Sequence, residues 1–265
     1  MAIALIIPTI ENSFYLDVLQ YLEIKLHQYG YRLLVTFIHQ GIATERDCLE
    51  LAASAQVDGI IFFPRHCENQ QYIESLRKRL KIIQLFTSPY PEIDSIVIND
   101  ESGTAAGTNY LIHHGHQRIV YTGDTSRIAG FWRAIDNAHI PHDNVLVLPE
   151  ITTNSFCETL KSFQPTAVFS VASTTEIVWA AARESGLSIP DDISIIAYDN
   201  SNFVKLMKLT AVAHNLEEIA TVLVEQLISR INEDSFDSPV HLKLESFIIE
   251  RQSVRMYPDT TFSDK

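Results

Sequence analysis

Few side chains in this sequence combine the type and the spacing that chemistry requires. His113, His114 and His116 lie almost side by side. Neutral imidazoles are good zinc ligands, but no cysteine or carboxylate adjoins these to complete a tetrahedral set, so no metal is expected. Asp191 and Asp192 form a carboxylate pair that could divide acid and base roles. They follow Pro190 in what reads as a helix-to-strand loop. Cys48, Cys67 and Cys157 are odd in number and have no C-x-x-C spacing, which argues against a disulfide framework and for a reducing compartment. The G-x-S-x-G elbow, the P-loop and G-x-G-x-x-G are all missing. No nucleophile has a base, no cofactor is expected, and an enzyme is not the expected reading. What remains is Phe14 and Tyr15, directly after an apolar run that ends at Pro8.

These two rings need elements to place them. Ile3–Ile7 is of strand length, Asn12 and Ser13 are good helix N-cap types, and Phe14, Val18, Leu22 and Leu26 follow with helical spacing. In a parallel sheet, the intervening loop lies at the carboxyl edge, where ligands bind. The rings are then placed to stack on a bound molecule, or else to anchor the helix to the sheet. Strand and helix go on alternating: strands at Tyr31–Ile38, Ile60–Phe63 and Ile82–Phe86, helices at Ala43–Ala55 and Ile73–Leu80. The alternation starts again after residue 99. Ser95–Ile98, Arg118–Thr122, Val145–Leu148, Thr166–Val171 and Ile193–Tyr198 read as strands. A helix capped by Asp100 or Glu101 runs to His114, followed by helices at Ile128–Asn137, Ser155–Phe163 and Thr175–Ser185. Leu209–Ala213 looks extended, Leu216–Ile231 is amphipathic, Val240–Glu250 reads as one long strand, and residues 257–265 as a tail. This is the signature of right-handed βαβ units in two lobes. The expected division is 1–99 with about 215–240, and 100–214 with about 241–256.

The 265 residues carry a net charge of -13 and are 46% hydrophobic, so a sizeable core forms and the surface repels nucleic acid. No segment has transmembrane length, and the N-terminus lacks a signal-peptide pattern; a cytoplasmic protein without membrane contact is expected.

Several stretches together resemble the effector-binding core of the LacI/GalR family of transcriptional regulators. They are IPTIENSFY (7–15), GYRLLV (30–35), VDGIIFFP (57–64), HHGHQRIVYTG (113–123), RIAGFWRAI (127–135), TAVFSV (166–171), SGLSIPDDISIIAYDN (185–200) and ERQSV (250–254), in the family's order across nearly the whole chain. The resemblance implies an α/β fold of two Rossmann-like lobes with parallel sheets, periplasmic-binding-protein-like type I, linked by several crossover segments. It also implies a homodimer whose lobes close on a small-molecule effector, a sugar or related metabolite. Operator DNA would be read only through a helix-turn-helix headpiece that lies outside this chain. The expected ligand set is Asn12, Phe14, Tyr15, Arg127, Ser173 and Asp199, of which Arg127 and Asp199 stand at positions resembling the family's ligand-binding arginine and aspartate. Arg127 supplies a planar fork of donors and Asp199 an acceptor. The chain departs from the family at Ala172-Ser173, where Asn-Asp is common. The loop at Gly123–Ser126 is shorter, Phe86 stands in place of an aspartate, and Ile151 in place of an aromatic residue. These changes make the site more apolar and leave an atypical sugar, another metabolite or a protein partner open as the effector. A solute-binding protein of a transport system is the alternative with the same fold.

Overall fold

A computed structural model describes residues 1–8, 13–38, 43–171, 174–233 and 238–257. The chain divides into two compact units, Met1–Ile98 with Asn215–Leu244, and Asn99–His214 with Glu245–Lys265.

The first run contains β1 (Ala2–Ile7), α1 (Ser13–Gln28), β2 (Arg32–Phe37), α2 (Glu45–Ser54), β3 (Gly59–Phe62), α3 (Gln70–Leu76), β4 (Lys81–Leu85) and β5 (Asp94–Ile98). The second contains α4 (Asp100–His113), β6 (Ile119–Thr122), α5 (Ile128–Asn137), β7 (Val145–Leu148), α6 (Thr153–Phe163), β8 (Ala167–Val171), α7 (Thr174–Glu184), β9 (Ser194–Tyr198), α8 (Asn202–Leu206) and β10 (Thr210–Ala213). The chain then adds α9 (Leu216–Glu233), β11 (His241–Leu244) and β12 (Phe247–Ile249). The two sheets have the orders β11-β5-β4-β3-β1-β2 and β12-β10-β9-β8-β6-β7. Strand for strand, β1 to β5 correspond to β6 to β10. In each sheet the order reverses beside the first strand of its run, and the crevice at such a switch point, at the carboxyl ends, is where doubly wound folds bind ligands.

Central strands are buried on both faces, which is why they read as unbroken apolar runs such as Ile3–Ile7. In the first unit, α1 and α9 cover one face of the sheet through Val18, Leu22, Leu26, Leu223 and Leu227. Cys48, Leu49, Ile73 and Leu76 of α2 and α3 cover the other. In the second unit, Leu111, Phe131 and Ile135 of α4 and α5 face Phe156, Leu160, Val178 and Val204 of α6, α7 and α8 across the sheet. Local signals set the helix ends. Thr44 Oγ1 accepts from the Asp47 N–H while Asp47 accepts from the Thr44 N–H, a reciprocal cap on α2.

The structure corrects several expectations. The sheets are not wholly parallel: β12 runs antiparallel to β10. Val240–Glu250 is two short strands, and His241–Leu244 pairs with β5 in the first unit's sheet, not in the second lobe. Asn99, not Asp100 or Glu101, caps α4, its Oδ1 accepting from the Ser102 N–H. Tyr257 is no loose tail residue, since its N–H donates to the His114 carbonyl at 2.7 Å. The short helix α8 had no periodicity long enough to announce it.

Candidate functional site

In the second unit, the shortened loop after β6 folds into a single 3-10 turn, Thr125–Arg127. Asp124 caps it by accepting from the Ser126 N–H at 2.8 Å. This delivers Arg127 to the carboxyl edge of the sheet. Its Nε lies 3.2 Å from Asp100 Oδ1. Its guanidinium carbon sits 4.9 Å from the centre of the Tyr198 ring, a cation–π contact. The Tyr198 hydroxyl donates to the same Asp100 oxygen at 2.6 Å. The ion pair is not aligned as a hydrogen bond, so Arg127 Nε is a buried donor without a hydrogen-bond acceptor. Burial opposes the Arg127 charge, but Asp100 and Asp199 outweigh it and hold the group firmly protonated. Burial, reinforced by Asp100, pushes the Tyr198 phenol above its ordinary range, so it stays a donor.

Asp199, at the end of β9, is buried and adopts a left-handed backbone with φ 77°. Its N–H donates to the Val212 carbonyl at 3.0 Å. Its Oδ1 lies 3.1 Å from His214 Nε2, and His214 Nδ1 lies 3.1 Å from Ser246 Oγ. Gly103 permits this packing, because a Cβ there would sit 2.7 Å from Ser246 Oγ and 3.1 Å from the Tyr198 hydroxyl. The chemistry available is recognition: a charged fork, a carboxylate and a phenol within one unit.

The first unit's carboxyl edge is aromatic. Phe14 meets Tyr15 edge-on at 5.8 Å and Phe86 at 5.1 Å, and Phe63 meets Tyr15 at 5.7 Å and Phe86 at 5.2 Å. Both rings singled out in the sequence therefore pack with one another and against the core below. Asn12 and Ser173 lie outside the described residues. The structure brings Arg127 and Asp199 into one cluster, but Arg127 pairs with Asp100. Asp100, Tyr198 and His214 were missed: the first looked like a helix start, the second like the end of a strand, and the third carried no signal.

His114 and His116 have different partners. His114 Nδ1 contacts the Tyr110 carbonyl, while His116 is buried against Thr166 and Arg255. Among the described residues, no group of three His, Cys, Asp or Glu side chains could hold a metal, and no helix is long and apolar enough to cross a membrane.

The sequence profile of the periplasmic binding protein-like domain matches residues 108–254, more than half of the chain. Catabolite control protein A of Priestia megaterium is 27% identical over 274 residues, covering 96% of this chain and 81% of that protein. The HTH-type transcriptional repressor PurR of Vibrio atlanticus is also 27% identical, with the same coverage of both chains. Among solved structures, a LacI family transcriptional regulator from Enterococcus faecium with bound ribose superposes with a TM-score of 0.83 at 24% identity, over 97% of this chain and 100% of that one. A LacI family regulator from Weissella paramesenteroides with bound sucrose gives 0.82 at 19% identity, over 97% and 100%. These relatives are regulators rather than enzymes or transport proteins, and the chain belongs to the periplasmic binding protein-like family as a ligand-sensing core of the LacI/GalR type.

Proposed function

We propose that this chain senses a small cytoplasmic metabolite, a sugar or a related compound, and that as a homodimer it passes the bound state to operator DNA through a DNA-reading segment outside these 265 residues. Arg127 and Asp199 of the second unit would read the effector's polar groups. The observation that carries this reading is the buried Arg127 Nε, charged and without a hydrogen-bond acceptor, beside Asp100, Tyr198 and Asp199 at a carboxyl sheet edge. A guanidinium held charged at a binding edge can make charged hydrogen bonds to a ligand oxygen through the rest of its fork. The solved relatives that hold ribose and sucrose support the size and polarity of the class. The sensing step would be a population shift, in which a ligand favours one of two arrangements by the difference in its affinity for them.

Calorimetry against a metabolite panel, repeated with Arg127→Ala and Asp199→Ala, tests the site. Losing one charged hydrogen bond should weaken binding by roughly 10- to 100-fold. Affinity unchanged in both variants would sink the assignment.

A further inference from the structure

The chain passes between its two units three times, after Ile98, after His214 and after Leu244. Side chains at these passages are tied to one another. Between the first and the third, Asn99 Nδ2 donates to Glu245 Oε1 at 2.6 Å. Between the second and the third, His214 Nδ1 lies 3.1 Å from Ser246 Oγ. The antiparallel register sets up this contact: Ala213 pairs with Phe247, so the next pair outward is His214 and Ser246. His214 also reaches the second unit's carboxyl edge, where its Nε2 lies 3.1 Å from Asp199 Oδ1.

The imidazole has little freedom. Its side chain is only 3% exposed and that of Asp199 10%. The centre of the Tyr198 ring lies 5.4 Å from that of the imidazole. A carboxylate only accepts, so Nε2 carries the proton and donates to Oδ1. This leaves Oδ2 to accept from a ligand hydroxyl. Without the imidazole, the Asp199 carboxylate could turn about its side-chain bonds, and an arriving ligand would have to order it. With the imidazole in place, the acceptor is aimed beforehand by a residue that is itself held by packing and a hydrogen bond.

We infer that His214 is a positioning residue for ligand recognition: it aims the Asp199 carboxylate and anchors it, through Ser246, to the third passage of the chain. Affinity then depends on Ser246 by way of the imidazole. The inference rests on the proposed ligand role of Arg127 and Asp199, and it deepens that reading by naming what makes Asp199 a ready acceptor.

The test is calorimetry on the full chain with ribose and sucrose as probes, with thermal melting of every variant. His214→Leu, which keeps bulk but neither ring nitrogen, should weaken binding about tenfold. His214→Gln puts an amide nitrogen near the place of Nε2 and should restore affinity to within about twofold of wild type. His214→Asn, whose amide reaches only as far as Nδ1, should not restore it. This pair keeps the test decisive if His214→Leu fails to fold. Ser246→Ala should weaken binding about threefold, and should add nothing to His214→Leu. In a double-mutant cycle, His214→Leu should cost no further affinity once Asp199→Ala is present. A packing role would lower the melting temperature of all the His214 variants alike and leave the two affinity losses additive, which overturns the inference. Sugar binding that is lost in Arg127→Ala but indifferent to His214→Leu also overturns it, and leaves the ligand role of Arg127 standing. Binding of neither sugar to wild type overturns the role of Arg127 and Asp199 as readers of sugars, and the inference falls with it.

Discussion

A single buried imidazole sets much of the expected acid sensitivity. Thr166 Oγ1 lies 3.0 Å from His116 Nδ1, and the Arg255 carbonyl 3.2 Å from Nε2. A carbonyl can only accept, so Nε2 carries the proton and Nδ1 accepts from the threonine hydroxyl. This is a neutral ring with both nitrogens in use. Burial lowers its pKa from 6.5 to about 4, against the opposing pull of the Arg255 carbonyl. Between those two values the unfolded chain binds a proton that the folded chain refuses. The contribution is therefore complete above the unfolded value, shrinks as pH falls, and is gone near the folded one, about 3 kcal/mol in all. Urea unfolding at pH 7 and pH 5 should show wild type losing about 2 kcal/mol more than His116→Gln, whose amide can still donate to the carbonyl. Equal losses would mean that the proton is taken up elsewhere. The same imidazole shows the limit of reading residues singly. In the sequence it is one of three neighbouring histidines that resemble a metal site, and only the fold separates its role from that of His114.

Helix packing depends on where a side chain is absent. Gly130 in α5 lies against the first turns of α4; a Cβ there would sit 2.8 Å from the Ala105 nitrogen and inside contact distance of the Glu101 carbonyl oxygen. Both obstacles are backbone, so neither can rotate away. Gly130→Ala should raise intrinsic helix propensity and still destabilise the chain by about 3 kcal/mol, because overpacking outweighs the propensity gain. Chemical denaturation would read the sign, and a neutral or stabilising result would mean that the two helices can slide apart freely. The existence and type of most elements were legible, because buried parallel strands leave apolar runs and Gly30, Gly115 and Gly186 mark helix ends with left-handed turns. What was not legible depended on partners distant in sequence. Nothing near Arg127 tells that its charge is met by Asp100, and nothing near Asp199 tells that His214 holds it. Val240–Glu250 looks continuous because Glu245 and Ser246 interrupt it without a glycine or a proline.

At the scale of the molecule, neither unit is a continuous piece of chain, which makes the first run unable to stand alone. Met1–Ile98 contains five strands of its sheet but not α9, which arrives only after the second run is complete. Ile219, Leu223, Val224, Leu227 and Ile228 of α9 are buried against the same face as Ile3, Leu5 and Leu22. At ~1.5–3 kcal/mol per buried side chain, their removal withdraws on the order of 10 kcal/mol. That is as large as the whole stability of a typical domain. The electrostatic loss acts in the same direction. Burial works to raise the pKa of Asp94, but Arg230, Gln226 and the Val240 N–H hold it low through hydrogen bonds of 2.8 to 3.0 Å, and all of them come from the later segment. Truncation would strand that carboxylate beneath a bare apolar face. Fragment 1–98 should therefore bind a hydrophobic dye and unfold without cooperativity. Adding the 215–244 peptide should suppress dye binding and restore a cooperative transition, because it returns both the covering helix and the partners of Asp94. A fragment that melts cooperatively without the peptide would show that α9 packs on a face already stable without it.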